Sequence, residues 1–347
     1  MSIRVTRKRA RTEASENSFV GNDLPRQHDK EFWYTDGTII LIAGNVEFRI
    51  YKGILAEHSP VFKDMFTMPQ PPQEESGSDD EPCPIVHVSD SPEDLRHVLR
   101  VYMPKSDASP YSPANPSFDA ISATIRLGHK YQISRLVDHS IAYLKKYYTD
   151  DFDTWTTSDA PGPPGFVARH AIGIVNLARL TSESSLLPTA FLACCTLGTE
   201  IIEGLAREDG AREYLSMADV ALCFVAKAQL VQETFDNAIA IFAPPSAECA
   251  DPAECGKRLA RLTQLVGSVA SRVANMGPLH SIVEIMWGDA KDRTLCDQCW
   301  AMVNARDVER RTALWRCLSD ILGLTDDSPY TAEESDEESD DEGMTTD

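Results

Sequence analysis

The chain has 347 residues, of which 42% are hydrophobic, with nine cysteines and a formal net charge of −21. That length sets a two-domain expectation, and the apolar share is enough for real cores. No apolar run approaches the ~18 residues that cross a bilayer, and the first residues form no hydrophobic signal core, so a soluble chain without a classical export signal is expected. The acidity argues against direct nucleic-acid binding and against anionic membranes, because like charges repel the phosphates. An odd number of cysteines scattered through apolar stretches suits a reducing compartment, the nucleus or the cytoplasm.

Residues 1–31 read as a disordered basic tail. Arg7, Lys8, Arg9 and Arg11 form a cation run of the kind an importin groove reads, a candidate nuclear localisation signal whose alternative is a solvated tail. Between residues 12 and 32 only Phe19, Val20, Leu24 and Phe32 are sizeable apolar groups. A strand follows at Thr38–Ile42, a continuous β-branched and apolar run fit for burial on both faces. Gly44-Asn45 is a two-residue turn signal. Val46–Tyr51 then alternates apolar with polar until its last pair. Two short helices come next. Ser59 can cap the second, with Pro60 at its first position and Phe62, Met65 and Phe66 on one face.

Residues 69–84 form an insertion carrying five acids, no base and prolines at 69, 71, 72, 82 and 84. It cannot bury enough apolar surface to offset ordering entropy. Ile85–Val88 reads as the third strand. Ser91-Pro92-Glu93-Asp94 is a helix start, and Leu95, Val98, Leu99 and Tyr102 give it an apolar stripe. A second insertion, 104–117, holds prolines at 104, 110, 113 and 116. Ile125–Leu136 spans a helix pair, and Ile133, Leu136, Val137, Ile141 and Leu144 line a last helix that runs out near Tyr147-Tyr148.

This stretch resembles a BTB/POZ domain. Asp36-Gly37 precedes the first strand, and Phe48, Ile50, Lys52, Ile54, Leu55, Ala56, Ser59, Phe62 and Met65-Phe66 fall at the family spacing F-x-x-H-K-x-x-L-x-x-x-S-x-x-F-x-x-x-F, with Tyr51 where the family usually has His. Leu127–Ile133, with Tyr131, resembles the family's A-x-K-Y-x-I-x-x-L helix pair. The resemblance implies an α+β BTB/POZ domain over 32–149, a three-stranded sheet with surrounding helices, built to bind proteins. It further implies a cullin scaffold or a second BTB domain as candidate partners. BTB domains that dimerise often keep an acid and a base at the places of Asp36 and Lys52. The alternative is that Asp36 caps a turn and Lys52 lies on the surface.

Residues 150–165 read as an acidic, then Pro/Gly-rich linker. From 166 to 324 the texture is helical, with helices expected at Ala171–Leu180, Thr189–Gly198, Ala211–Phe242 as one or two, Leu259–Val273, Ile282–Trp287 and Asp307–Leu322, and no useful β-alternation. This all-α domain resembles the helical C-terminal region of fungal BTB proteins, through Leu186–Ala190, Glu203-Gly204 before Asp209-Gly210, Cys296-x-x-Cys299, and Trp315 before Leu318. Residues 325–347 hold eleven acids and no base, over half of the net charge, and read as a disordered acidic tail.

Cys296-x-x-Cys299 is the one metal-like motif. A structural zinc site needs four ligands, and the available completers are Cys249, Cys255, Cys317 and His280, none at CxxC spacing. Ordinary helix-start or core cysteines are therefore expected, with a zinc site on Cys296 and Cys299 as the lesser alternative and redox work behind it; no cofactor is expected. Ser78, Ser335 and Ser339, each followed by acids, are candidate sites for acid-directed kinases, against the alternative of a solubilising tail. There is no phosphate loop, HExxH or GxSxG, so a catalytic role is not expected. The expected function is a protein-interaction adaptor, with a cullin-type ubiquitin ligase as a candidate partner. The rival is a nuclear transcriptional or chromatin regulator. It lacks a zinc-finger, helix-turn-helix or basic-zipper pattern and so would act through other proteins.

Overall fold

The computed structural model describes residues 25–68, 83–103, 115–157, 162–268, 279–287 and 295–324. These residues form two compact units, one drawn from 1–52 and 70–90, the other from 53–69 and 91–347.

The first unit is a mixed sheet of β1 (Gln27–Trp33), β2 (Ile39–Ala43), β3 (Val46–Ile50) and β4 (Ile85–Val88), in the order β1-β3-β2-β4. The expected hairpin is its centre. β2 and β3 pair antiparallel from Ile39↔Ile50 to Ala43↔Val46, and β4 runs parallel to β2. Gly44 alone takes a positive φ, 57°, a conformation that costs glycine no Cβ clash. Ile39, Leu41, Ile42 and Ala43 are all buried, the double-faced burial that their apolar run implies.

The sheet has four strands rather than the expected three, and it begins inside the stretch read as a tail. β1 pairs parallel with β3, but the five-position step from His28 to Trp33 is set against a two-position step from Glu47 to Arg49. The buried Asp29 carboxylate fills the irregularity by accepting from the amides of Glu31 and Phe32 at 2.9 and 2.8 Å. A strand distorted in this way has no two-residue periodicity to read.

The second unit is helical. Its helices are α1 (Lys52–His58, entered from the first unit), α2 (Pro60–Thr67), α3 (Pro92–Tyr102), α4 (Phe118–Lys130), α5 (Ser134–Leu144), α6 (Phe152–Thr157), α7 (His170–Thr181), α8 (Leu187–Cys195), α9 (Glu200–Glu203), α10 (Met217–Ile241), α11 (Pro252–Ser268), α12 (Ile282–Trp287), α13 (Asp297–Arg316) and α14 (Leu318–Ile321). A short hairpin, β5 (Leu205–Ala206) with β6 (Arg212–Glu213), lies between them where no strand is expected, and β6 takes the first residues of the helix expected from Ala211. Gly204 forces the break. Its φ is 72°, and a Cβ there would lie 2.5 Å from the Glu213 carbonyl oxygen.

The expected linker does not separate two cores. Phe118, Ile121 and Ile125 of α4 and Ile141 and Leu144 of α5 share one apolar core with α7, α8, the first half of α10, and Leu314, Leu318 and Leu322. Within the linker range, Phe152 and Trp155 pack near Trp315, at ring separations of 5.6 and 5.9 Å, and the Trp315 indole donates to the Asp150 carbonyl. A second core joins the end of α10 to α11, α12 and the start of α13. The long helices α10 and α13 therefore run through both cores.

Candidate functional site

Within each unit the family-pattern residues hold their places for identifiable reasons. Gly37 is buried where a Cβ would lie 2.8 Å from the Arg49 side chain and 3.0 Å from its backbone, so only glycine lets the turn lie against β3. Phe48 is wholly buried in the sheet. In the helical unit, Leu55 and Phe62 are each 1% exposed, a burial that stabilises by about 2–3 kcal/mol per side chain.

Ser59 joins the two halves of the pattern. Its Oγ accepts from the Phe62 amide at 3.0 Å, capping α2, and donates to the Tyr131 carbonyl at 2.6 Å across 72 residues of sequence. The Phe62 and Tyr131 rings stack at 4.1 Å. The serine at the head of α2 and the tyrosine at the end of α4 form a single lock.

Asp36 and Lys52 are both exposed. The Asp36 carboxylate accepts from the Tyr51 hydroxyl at 2.7 Å, and this bond raises the tyrosine's pKa above its usual value. Lys52 makes no ion pair among the described residues; its amide donates to Thr38 Oγ1 at 3.0 Å. The acid of the candidate pair is thus engaged within its own chain by the tyrosine that replaces the family's histidine.

A charge cluster ties α3 and α4 to the β5–β6 hairpin. Arg126 grips both oxygens of Asp94 at 2.8 and 2.9 Å and Glu213 at 2.6 Å. Arg207 meets Asp94, Asp209 at 2.8 Å and Glu213 at 3.5 Å. His97 reaches Glu208 at 2.8 Å. Gly210, with a φ of 81°, makes the hairpin turn that presents Arg207 and Asp209. The Glu203-Gly204 and Asp209-Gly210 pairs are therefore the hinges of a hairpin built to deliver charge.

Four cysteine sulfurs meet at the second core. Those of Cys249, Cys255, Cys296 and Cys299 all lie within 4.8 Å of one another, and Cys249 and Cys296 are 3.6 Å apart. Cys249 sits in the loop after α10, Cys255 in the first turn of α11, and Cys296 and Cys299 at the N-cap and first turn of α13. The Cys299 backbone amide and the neighbouring thiols draw Cys296 down to about 7, while burial and the Cys299 thiol push Cys249 up to about 12. Of the four candidate completers, the fold supplies Cys249 and Cys255; Cys317 is exposed on its own. The signal in the sequence was the count of cysteines after residue 245, not their spacing.

Arg7, Lys8, Arg9, Arg11, Ser78, Ser335 and Ser339 lie outside the described residues, as do most of both insertions and the acidic tail. Among the described residues, no helix is long and apolar enough to cross a membrane.

A strand, a hairpin, a capped helix pair, a further strand and three more helices follow in the order of the protein-interaction domain that the sequence resembles. Residues 27–148 match the BTB/POZ domain, and the chain carries a BTB/POZ domain there, beginning at β1 and ending at the buried Tyr148. No curated protein matches the chain.

Proposed function

We propose that this protein is a non-catalytic adaptor that holds one partner through its BTB domain and another through its helical region. The match of residues 27–148 to a protein-interaction domain carries this reading. Our first choice of partner for the BTB domain is a cullin-type ubiquitin-ligase scaffold, with the region 166–324 selecting the protein delivered to it.

The outer face of α10 supports a second docking surface. Met217, Ala221, Phe224, Val225 and Ala228 recur there at helical spacing, and Met217, Phe224 and Val225 are 82%, 57% and 61% exposed. Large exposed apolar groups in one stripe mark interaction sites. The Asp94–Arg126–Arg207–Glu213 cluster and the shared core fasten this region to α3–α5, so a partner on α10 is held at a set position relative to those helices. Self-association through Asp36 and Lys52 is the weaker route, since Tyr51 already occupies the Asp36 carboxylate.

The basic run at Arg7, Lys8, Arg9 and Arg11 and the acidic 325–347 segment favour a second reading, a nuclear regulator acting through protein partners, with Ser78, Ser335 and Ser339 as acid-directed phosphorylation sites. One experiment separates the two. The tagged full chain is recovered from cells with its partners, and a purified cullin amino-terminal domain is titrated into the purified chain. Cullin recovery together with direct binding at or below about ten micromolar supports the adaptor. Chromatin factors without cullin support the regulator, and no direct cullin binding removes the ligase assignment.

A further inference from the structure

We propose that Cys249, Cys255, Cys296 and Cys299 bind one zinc ion as a structural tetrathiolate centre. The ion would clamp the loop after α10 and the start of α11 onto the start of α13.

The sulfur separations suit a tetrahedral thiolate site. Sulfurs held at about 2.3 Å from zinc in a tetrahedron stand about 3.8 Å apart. The Cys249–Cys296 separation is 3.6 Å, and no separation exceeds 4.8 Å, so closing on an ion needs shifts within side-chain reach. A disulfide would need two sulfurs near 2.05 Å, and all four thiols are free.

The surroundings suit thiolates. Backbone amides face three of the sulfurs: Cys299 toward Cys296, Asp251 toward Cys249, and Ser246 toward Cys299. Such amides orient thiolate ligands and offset their charge from the second shell. Two helix N-termini, those of α11 and α13, converge on the cluster and add positive potential. Four thiol protons leave as one Zn²⁺ enters, so the filled centre carries two negative charges, and these amides and helix ends meet them.

The chain contains its own contrast. Cys194, Cys195 and Cys223 are also buried near one another, in the first core, where Cys195 Sγ points at the Cys223 carbonyl. Bonding to the Cys194 thiol, together with burial, pushes Cys223 up to about 12, as expected of inert core filler. The cluster at residues 249–299 differs in having four sulfurs within 4.8 Å of one another and two helix N-termini beside them.

The site is closed. All four positions are cysteine, and Cys249, Cys255 and Cys299 are buried at 9%, 4% and 0% exposure, which leaves no open position for a substrate. Cys296, half-buried, marks the side from which the ion enters. The second core is small and draws on four separate segments, and a cross-link between them is what such a core lacks.

The test is metal analysis of the purified full-length chain, made without chelator, by inductively coupled plasma mass spectrometry. The expected result is about one zinc per chain, and replacement by cobalt giving the intense visible bands of a tetrahedral cobalt thiolate. Cys249→Ser and Cys296→Ser lose the metal, while Cys317→Ser and Cys194→Ala keep it. Stoichiometric iron in place of zinc overturns the choice of ion. A disulfide among the four cysteines, or a zinc-reconstituted chain that holds less than about a tenth of an ion and gives no cobalt thiolate bands, overturns the site. The last two readings come from the unaltered protein and do not depend on whether any variant folds.

Discussion

Among the described residues, five helices open on a serine whose Oγ accepts the amide three residues on, and comparing three of them isolates one tertiary bond. The bond is 3.0 Å at Ser59, 3.1 Å at Ser91 and 3.2 Å at Ser117. Only Ser59 also donates to a distant carbonyl, that of Tyr131 at 2.6 Å, and it is 0% exposed. Replacing a serine cap by alanine costs about 1 kcal/mol. Leaving the buried Tyr131 carbonyl without its donor adds about 1–2 kcal/mol, because no water reaches it. Ser59→Ala should therefore cost about 2–3 kcal/mol, against about 0.5–1 kcal/mol for Ser91→Ala or Ser117→Ala. Ser59→Gly separates the two contributions. Glycine is tolerated as a cap, so its cost should be the orphaned carbonyl alone, about 1–2 kcal/mol. Urea unfolding followed by circular dichroism measures all four variants, with an unchanged slope confirming that the same surface is exposed. If Ser59→Ala falls within about 0.5 kcal/mol of Ser117→Ala, the Tyr131 bond contributes nothing and the link between the two halves of the family pattern is refuted.

Removing the shared cation by Arg126→Met leaves Asp94 and Glu213 with Arg207 alone. The expected loss is about 2–4 kcal/mol, the usual cost of breaking a buried pair discounted for side chains still 11–20% exposed, and the same urea titration reads it. Asp94→Asn in the Arg126→Met background should cost less than in the wild type, and a strictly additive double-mutant cycle would contradict the cluster. Gly204→Ala should cost at least about 2 kcal/mol from strain and the clash with the Glu213 carbonyl, whereas Gly53→Ala, with open space around its Cβ, should be neutral or stabilise by up to about 0.5 kcal/mol in thermal unfolding. His170 stacks on Phe118 at 4.4 Å, and burial lowers its pKa, with Asp119 opposing. The unfolded chain then binds the proton more readily than the folded one, so stability should fall as pH drops through about 6.5. His170→Gln should flatten that slope between about pH 7.5 and 5.5, and an unchanged slope would show that the histidine is not responsible.

Much of the architecture was legible in local signals. The Ser59-Pro60 and Ser91-Pro92 caps, the Gly44 turn, the double-faced burial of β2, and the bounds of β4 and α12 all depend on neighbours a few residues away, and each lies where its chemistry places it. The order of these elements was enough to point to a protein-interaction domain. Other features required the folded chain. β1 was hidden because its irregular pairing with β3 erases the alternation that identifies a strand. The hairpin at residues 205–213 was hidden because its strands are two residues long and are held by partners on α3 and α4 rather than by their own propensity. The four-cysteine cluster was invisible as a motif because 41 positions separate Cys255 from Cys296, and only the packing of α10, α11 and α13 brings their sulfurs into one place. Sequence determined what short-range sterics and hydrogen bonding decide. Tertiary structure decided every feature made by side chains distant in the chain, because their proximity follows from how the helices pack and not from any spacing along them.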